Sequence, residues 1–79
     1  MKIKVLYFGM IAEMAKCSEQ LKEVEGDSSI NDLINQILIE MPDLKEINYV
    51  VAQNQLLIDG NKQLTDGDEI SVFPPFAGG

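Results

Sequence analysis

The last six residues, Pro74-Pro75-Phe76-Ala77-Gly78-Gly79, hold the group best placed to do chemistry away from a folded body. Two prolines lack the N–H that a sheet ladder needs and keep the backbone extended, so a strand is expected to stop at Phe73 and the segment to leave the fold. Six residues at ~3.3 Å each reach about 20 Å, far enough to enter a buried site on another protein. Gly78 and Gly79 carry no side chains, which gives the thinnest cross-section a polypeptide has and lets backbone approach a catalytic centre or a nucleotide phosphate. What such a tip presents is the α-carboxylate of Gly79. With an ordinary pKa of about 3.5 it is an anion at neutral pH and a poor electrophile. Conversion to a mixed anhydride with a nucleotide phosphate makes its carbonyl attackable, and a sulfur or amine nucleophile can then be acylated. The sequence has no phosphate-binding glycine loop and no Walker lysine, so activation is expected from a partner. A Gly-Gly end alone reads as a frayed terminus. Its place directly after a Pro-Pro exit from the last strand favours the chemical reading.

The remaining residues offer little catalytic equipment. Among 79 residues there are 6 Lys plus Arg, 13 Asp plus Glu and no His, for a net charge of −7. The basic residues are all lysine, so the chain has neither an imidazole to shuttle protons near neutrality nor a guanidinium to clamp a phosphate. Self-contained catalysis is not expected. Scattered lysines and an acidic balance argue against nucleic acid and for a basic partner or groove. The lone Cys17 cannot form an intrachain disulfide and, without histidine, has no base to activate it, so it is read as a structural or incidental thiol in a reducing cytoplasm. Asp59 and the run 66–69 lack the spacing of a calcium loop, and no metal site is expected. Lys2, Lys4 and the apolar run 5–12 have the outline of a secretory signal, but the run is short, ends at Glu13, and Lys16 stands where a small residue is wanted. No stretch approaches the ~18 apolar residues of a membrane span, so a cytoplasmic, membrane-free protein is expected.

The tail needs a body that ends in a strand. Residues 2–8 alternate, with Ile3, Val5 and Tyr7 on one face and Lys2, Lys4, Leu6 and Phe8 on the other. A turn-rich or one-turn helical segment follows at 10–15, where Met10 and Met14, like Met41, read as core filler. Residues 19–25 read as a hairpin partner. Ser29 is set to cap a helix, with Asp32 closing a variant capping box. Ile30, Leu33, Ile34, Ile37, Leu38 and Met41 then form one apolar stripe of period 3.6, which Pro42 ends. Strands are expected at 48–53 and 56–58, a tight turn at Thr65-Asp66-Gly67-Asp68, and a last strand at 69–73 with Ile70 and Val72 on one side and Ser71 and Phe73 on the other. This order implies an α+β fold: a mixed four- to five-stranded sheet on one main helix, with first and last strands paired centrally in parallel. Residues 1–73 form the domain and 74–79 the extended tail. Leu6, Phe8 and Phe73 fall on the sheet face opposite the helix, where they mark a partner surface or lie beneath a loop. Asp66, Asp68 and Glu69 either guide the tail to a basic mouth or form a solvated turn.

The ending from Leu64 to Gly79, with Asp-Gly-Asp-Glu, a strand, Pro-Pro and Gly-Gly, together with the opening Ile3-Lys4-Val5-Leu6-Tyr7-Phe8, resembles the small subunits of molybdopterin synthase. These are ubiquitin-like sulfur carriers of β-grasp fold. The resemblance implies that Gly79 is the reacting residue: its carboxylate is adenylated, then converted to a thiocarboxylate that donates sulfur to a cyclic pyranopterin precursor to build the molybdopterin dithiolene. It also implies that Gly78, Ala77, Phe76, Pro75 and Pro74 thread into a partner, and that Phe8 and Phe73, beside Leu6, dock against it. The implied partners are the large synthase subunit, in a heterotetramer, an adenylating enzyme like those that activate ubiquitin, and a sulfur donor such as a cysteine desulfurase. ATP and magnesium belong to the adenylating enzyme, and the chain itself holds no cofactor. Two other readings stay open. One is a carrier for the thiamine thiazole or for tRNA thiolation, or a ubiquitin-like modifier; thiamine carriers tend to be shorter and lack the Phe-Pro-Pro run. The other is a β-grasp interaction module with an inert end.

Overall fold

Alternation in the first segment does what its pattern requires: in β1 (Lys2–Tyr7) the side chains of Ile3, Val5 and Tyr7 are buried while Lys2 and Lys4 face water. The structure, a computed structural model, describes residues 1–75. β5 (Glu69–Phe73) lies parallel to β1, in a register running from Lys4 opposite Glu69 to Tyr7 opposite Val72, and carries Ile70 and Val72 to the same buried face. β2 (Glu19–Glu23) pairs antiparallel on the other side of β1, and β3 (Val50–Gln53) antiparallel on β5. The two residues of β4 (Leu56–Leu57) complete a mixed sheet in the order β2-β1-β5-β3-β4. The expected central parallel pair is present.

One long helix, α2 (Ile30–Glu40), covers the inner face. Its start is built as the sequence suggests: Ser29 Oγ accepts from the Asp32 N–H at 3.4 Å, and the Ser29 N–H donates to Asp32 Oδ2 at 2.9 Å. The loop before β5 adds a second anchor, since the Ile30 N–H donates to the Lys62 carbonyl at 2.8 Å and the Leu64 N–H to the Ser28 carbonyl at 3.1 Å. Ile30, Leu33, Ile34 and Ile37 fill the space between helix and sheet. Full burial of a side chain such as Leu33 or Ile37 contributes about 1.5–3 kcal/mol.

Departures from the sequence pattern have local causes. The segment after β1 is a helix of 7 residues, α1 (Gly9–Ala15), closed by Lys16 in the left-handed region at φ 62°. Ile11 is its buried residue, and Met10 consequently turns outward, 49% exposed, rather than filling the core; Met14 and Met41 do pack against it. Pro42 ends α2 but opens a 3-10 turn, Pro42–Glu46, that buries Leu44 completely. In β2 the inward residue is Lys22, because it pairs opposite Ile3, while Leu21 faces out. The Lys22 stem covers the sheet margin and its ammonium pairs with Glu40 at the end of α2. Burial, with Cys17 and Glu40 nearby, pushes the Tyr7 phenol up to about 12, so it stays a neutral donor, bonded to Gln20 Oε1 at 3.0 Å.

Candidate functional site: the outer sheet face and the tail exit

Strand register places the residues that alternate away from the core. Leu6 stands opposite Ser71, Ser71 opposite Ala52, and Ala52 opposite Leu57, giving one row across four strands. The next row sets Phe73 opposite Val50. Phe8, just past β1, extends the parallel ladder through its N–H to the Val72 carbonyl at 3.2 Å. The rings of Phe8 and Phe73 meet edge to face, with centroids 6.2 Å apart and planes at 89°. Phe8 is 47% exposed, and Leu6 and Phe73 are half-buried.

Beside this ring pair lies an open apolar hollow of about 620 Å³. Phe8, Gly9, Phe73, Pro74 and Pro75 wall it at the tail end, Gln55 and Leu57 at the β3–β4 hairpin, and Ala52 and Ser71 floor it. The expected trio is therefore split: Phe8 and Phe73 share the hollow, while Leu6 belongs to the same face but not to its lining. Pro74 and Pro75 join the site at its rim. Phe76, Ala77, Gly78 and Gly79 lie outside the described residues. Sequence reasoning missed Gly9, Ala52, Gln55 and Leu57; Ser71 was signalled by its alternation with Phe73.

Gly9 is there for two reasons. Its φ is +57°, and a Cβ at this position would stand 3.3 Å from Pro74 Cγ. The corner between β1 and α1 thus forms a seat for the first residue of the tail. Gly9→Val is expected to cost about 1–2 kcal/mol from the left-handed backbone alone, more with the contact to Pro74. Urea denaturation checks this, and a variant as stable as the parent would show that the corner needs no glycine.

The acidic turn before β5 is exposed at Thr65, Asp66 and Gly67 and buried at Asp68. Gly67, at φ +87°, allows the reversal, and its N–H donates to the Lys2 carbonyl at 2.9 Å. Asp66 Oδ1 accepts from the Lys2 N–H at 2.7 Å. Asp68 is buried and accepts from Gln53 Nε2 at 3.0 Å, Asn54 Nδ2 at 3.0 Å and the Thr65 N–H at 2.8 Å. Burial pushes its carboxyl up, but hydrogen bonds from Asn54, Thr65 and Gln53 outweigh that and hold it below its ordinary value of 3.8. A group whose folded pKa is depressed stabilises the fold above its unfolded pKa, and that contribution disappears as pH falls through the folded value. Denaturation midpoints of the parent should therefore fall more steeply than those of Asp68→Asn between roughly pH 5 and pH 2. Parallel curves would contradict this role.

Among the described residues no three His, Cys, Asp or Glu side chains gather as a metal site, and no helix is long and apolar enough to cross a membrane. Cys17 is a half-buried free thiol.

Comparison with known proteins fits this architecture. The ThiS family model matches residues 5–79. The molybdopterin synthase sulfur carrier subunit of Chlamydomonas reinhardtii is 37% identical over 83 residues, covering 100% of both chains. A putative molybdopterin converting factor subunit 1 from Pyrococcus furiosus superposes with a TM-score of 0.87 at 29% identity, over 96% of this chain and 99% of that one. Subunit 1 in the complex of subunits 1 and 2 of molybdopterin-converting factor from Helicobacter pylori is 36% identical, covers 100% of both chains and gives a TM-score of 0.71. With its ubiquitin-like β-grasp architecture and a match over nearly its whole length, the chain belongs to the ThiS family, and the curated relatives it resembles end to end are molybdopterin synthase sulfur carrier subunits.

Proposed function

We propose that this chain is the sulfur-carrying subunit of a molybdopterin synthase and that Gly79 is its reacting residue. The observation that carries the reading is the exit of Pro74 and Pro75 from the central strand beside the Phe8–Phe73 ring pair, in a chain whose full-length relatives bear that name. An adenylating enzyme, using ATP and magnesium, transfers AMP to the Gly79 carboxylate and releases pyrophosphate. The persulfide sulfur of a donor such as a cysteine desulfurase attacks the carbonyl and displaces AMP, and a thiol then reduces the resulting acyl disulfide, leaving the thiocarboxylate and a disulfide. This sulfur attacks a side-chain carbon of a cyclic pyranopterin bound by the large subunit, forming a carbon–sulfur bond as a carbon–oxygen bond of the pterin breaks and its oxygen leaves as water or phosphate; two loaded chains supply the two sulfurs of the dithiolene. Water then cleaves the acyl–sulfur bond, and the carboxylate is ready for another cycle. The chain is a recycled co-substrate in the cytoplasm; acid, base and phosphate contacts come from its partners, consistent with its lack of histidine and arginine.

The apolar hollow and the Phe8–Phe73 pair form the docking face for the large subunit, and Pro74 and Pro75 set the direction in which residues 76–79 enter it. Phe73 and Phe8 would be anchors there; Leu6 would meet the partner at the margin.

The test is a single-turnover reaction: thiocarboxylated chain, large subunit and cyclic pyranopterin, followed for dithiolene formation. Sulfur transfer to the pterin supports the reading. A chain that loads sulfur, gives none to the pterin and supports thiazole synthesis or tRNA thiolation instead would move it to the alternative carrier class.

A further inference from the structure

Asp68 is the one buried carboxylate among the described residues, and it precedes β5, at the opposite end of that strand from the tail exit. Its hydrogen bonds point to another task. Oδ1 accepts from Asn54 Nδ2, and Oδ2 from Gln53 Nε2 and the Thr65 N–H. Asn54 also reaches β5 by itself: its Oδ1 accepts the Glu69 N–H at 2.9 Å, and its own N–H donates to the Glu69 carbonyl at 2.7 Å. The tip of the β3–β4 hairpin is thereby tied to the head of the central strand.

The hairpin needs such a tie. β4 has 2 residues, and both tip residues stand in the left-handed region, Asn54 at φ 51° and Gln55 at φ 72°. β3 is held by its ladder to β5, but β4 is the sheet's edge strand and meets β3 over two residue pairs alone. Leu57, 68% exposed, has little packing of its own to hold it, yet with Gln55 it makes the wall of the hollow that faces the tail exit.

We infer that Asp68, acting through Asn54, is a positioning residue that fixes the β3–β4 hairpin so that Gln55 and Leu57 form the far wall of the apolar hollow. The inference deepens the docking reading above and rests on it only for what the wall meets.

Asn54→Gly tests it cleanly in the full chain. Glycine accepts the positive φ and keeps the backbone N–H to Glu69, so only the side-chain bridge is lost. Amide exchange of Ile58, whose N–H donates to the Val51 carbonyl, should accelerate about tenfold while β1 and β5 amides stay within about twofold. An unchanged Ile58 rate, or equal acceleration throughout, overturns the clamp. Asp68→Ala should reproduce the local effect if it folds. Affinity for the large subunit supplies the second readout. Asn54→Gly should weaken it about fivefold in the parent background and by less than about twofold in Leu57→Ala, because the clamp acts through that side chain. The same factor in both backgrounds overturns the inference. If the parent chain fails to bind the large subunit, the docking reading is lost, and the exchange experiment decides the clamp alone.

Discussion

Deleting Gly79 is expected to abolish sulfur loading and transfer while leaving the fold intact. The truncated chain still ends in a carboxylate, that of Gly78, but it falls short by one residue, ~3.5 Å of reach. Misplacement of a reacting group by about 1 Å can cost on the order of a hundredfold in rate, so a shift of a whole residue should cost about a thousandfold or more. Stability should not change, because the core, from Ile3 to Val72, lies entirely upstream. Gly78→Phe makes the complementary test: it keeps the length and the terminal group but widens the segment where a narrow passage must admit it. Both variants should melt with the parent and fail in dithiolene formation. Wild-type turnover by the truncated chain would eliminate the tail as the working part.

Phe73→Ala should weaken association with the large subunit about thirtyfold while costing roughly 1 kcal/mol of stability. The asymmetry follows from position. Phe73 is half-buried on the outer face, where its ring meets that of Phe8 edge to face. On a partner's approach it would stand in the wall of an apolar hollow that Leu57 and Pro75 also line, where an aromatic ring buried by the partner contributes most to binding. Calorimetric titration of the two subunits, paired with urea denaturation of the free chain, separates the two quantities. Unchanged affinity would remove Phe73 from the interface.

Much of this fold was legible because its strongest signals are periodic. Ile3, Val5 and Tyr7 in β1 and Ile70 and Val72 in β5 recur at every second position, α2 carries one stripe of period 3.6, and Ser29 with Asp32 marks its start, so the two-layer architecture and the central parallel pair follow from the pattern. What escaped was short or set by tertiary register. The 3-10 turn at Pro42–Glu46 is too brief to show a period, although it buries Leu44. Met10 and Ile11 are adjacent large apolar residues, and the docking of α1 decides which turns inward. Lys22 looks like a surface lysine until its place opposite Ile3 puts it on the core side. At the site, Phe8 and Phe73 could be placed by alternation, whereas Gln55 and Leu57 reach the hollow only because β4 folds back on β3. The Asp66–Asp68 turn was recognised, but its carboxylates read as surface charge; their bonds to Lys2, Gln53 and Asn54 come from residues distant in sequence.

A small acidic body that serves to present Gly79 to other proteins' active sites must take up sulfur at that residue. Intact mass spectrometry after incubation with ATP, the adenylating enzyme and a sulfur source tests it most directly. The expected product is heavier than the parent by the difference between one sulfur and one oxygen atom, with fragmentation placing the change at Gly79. A mass that does not move under conditions that load an authentic carrier, or a sulfur found on Cys17 instead, would contradict the account.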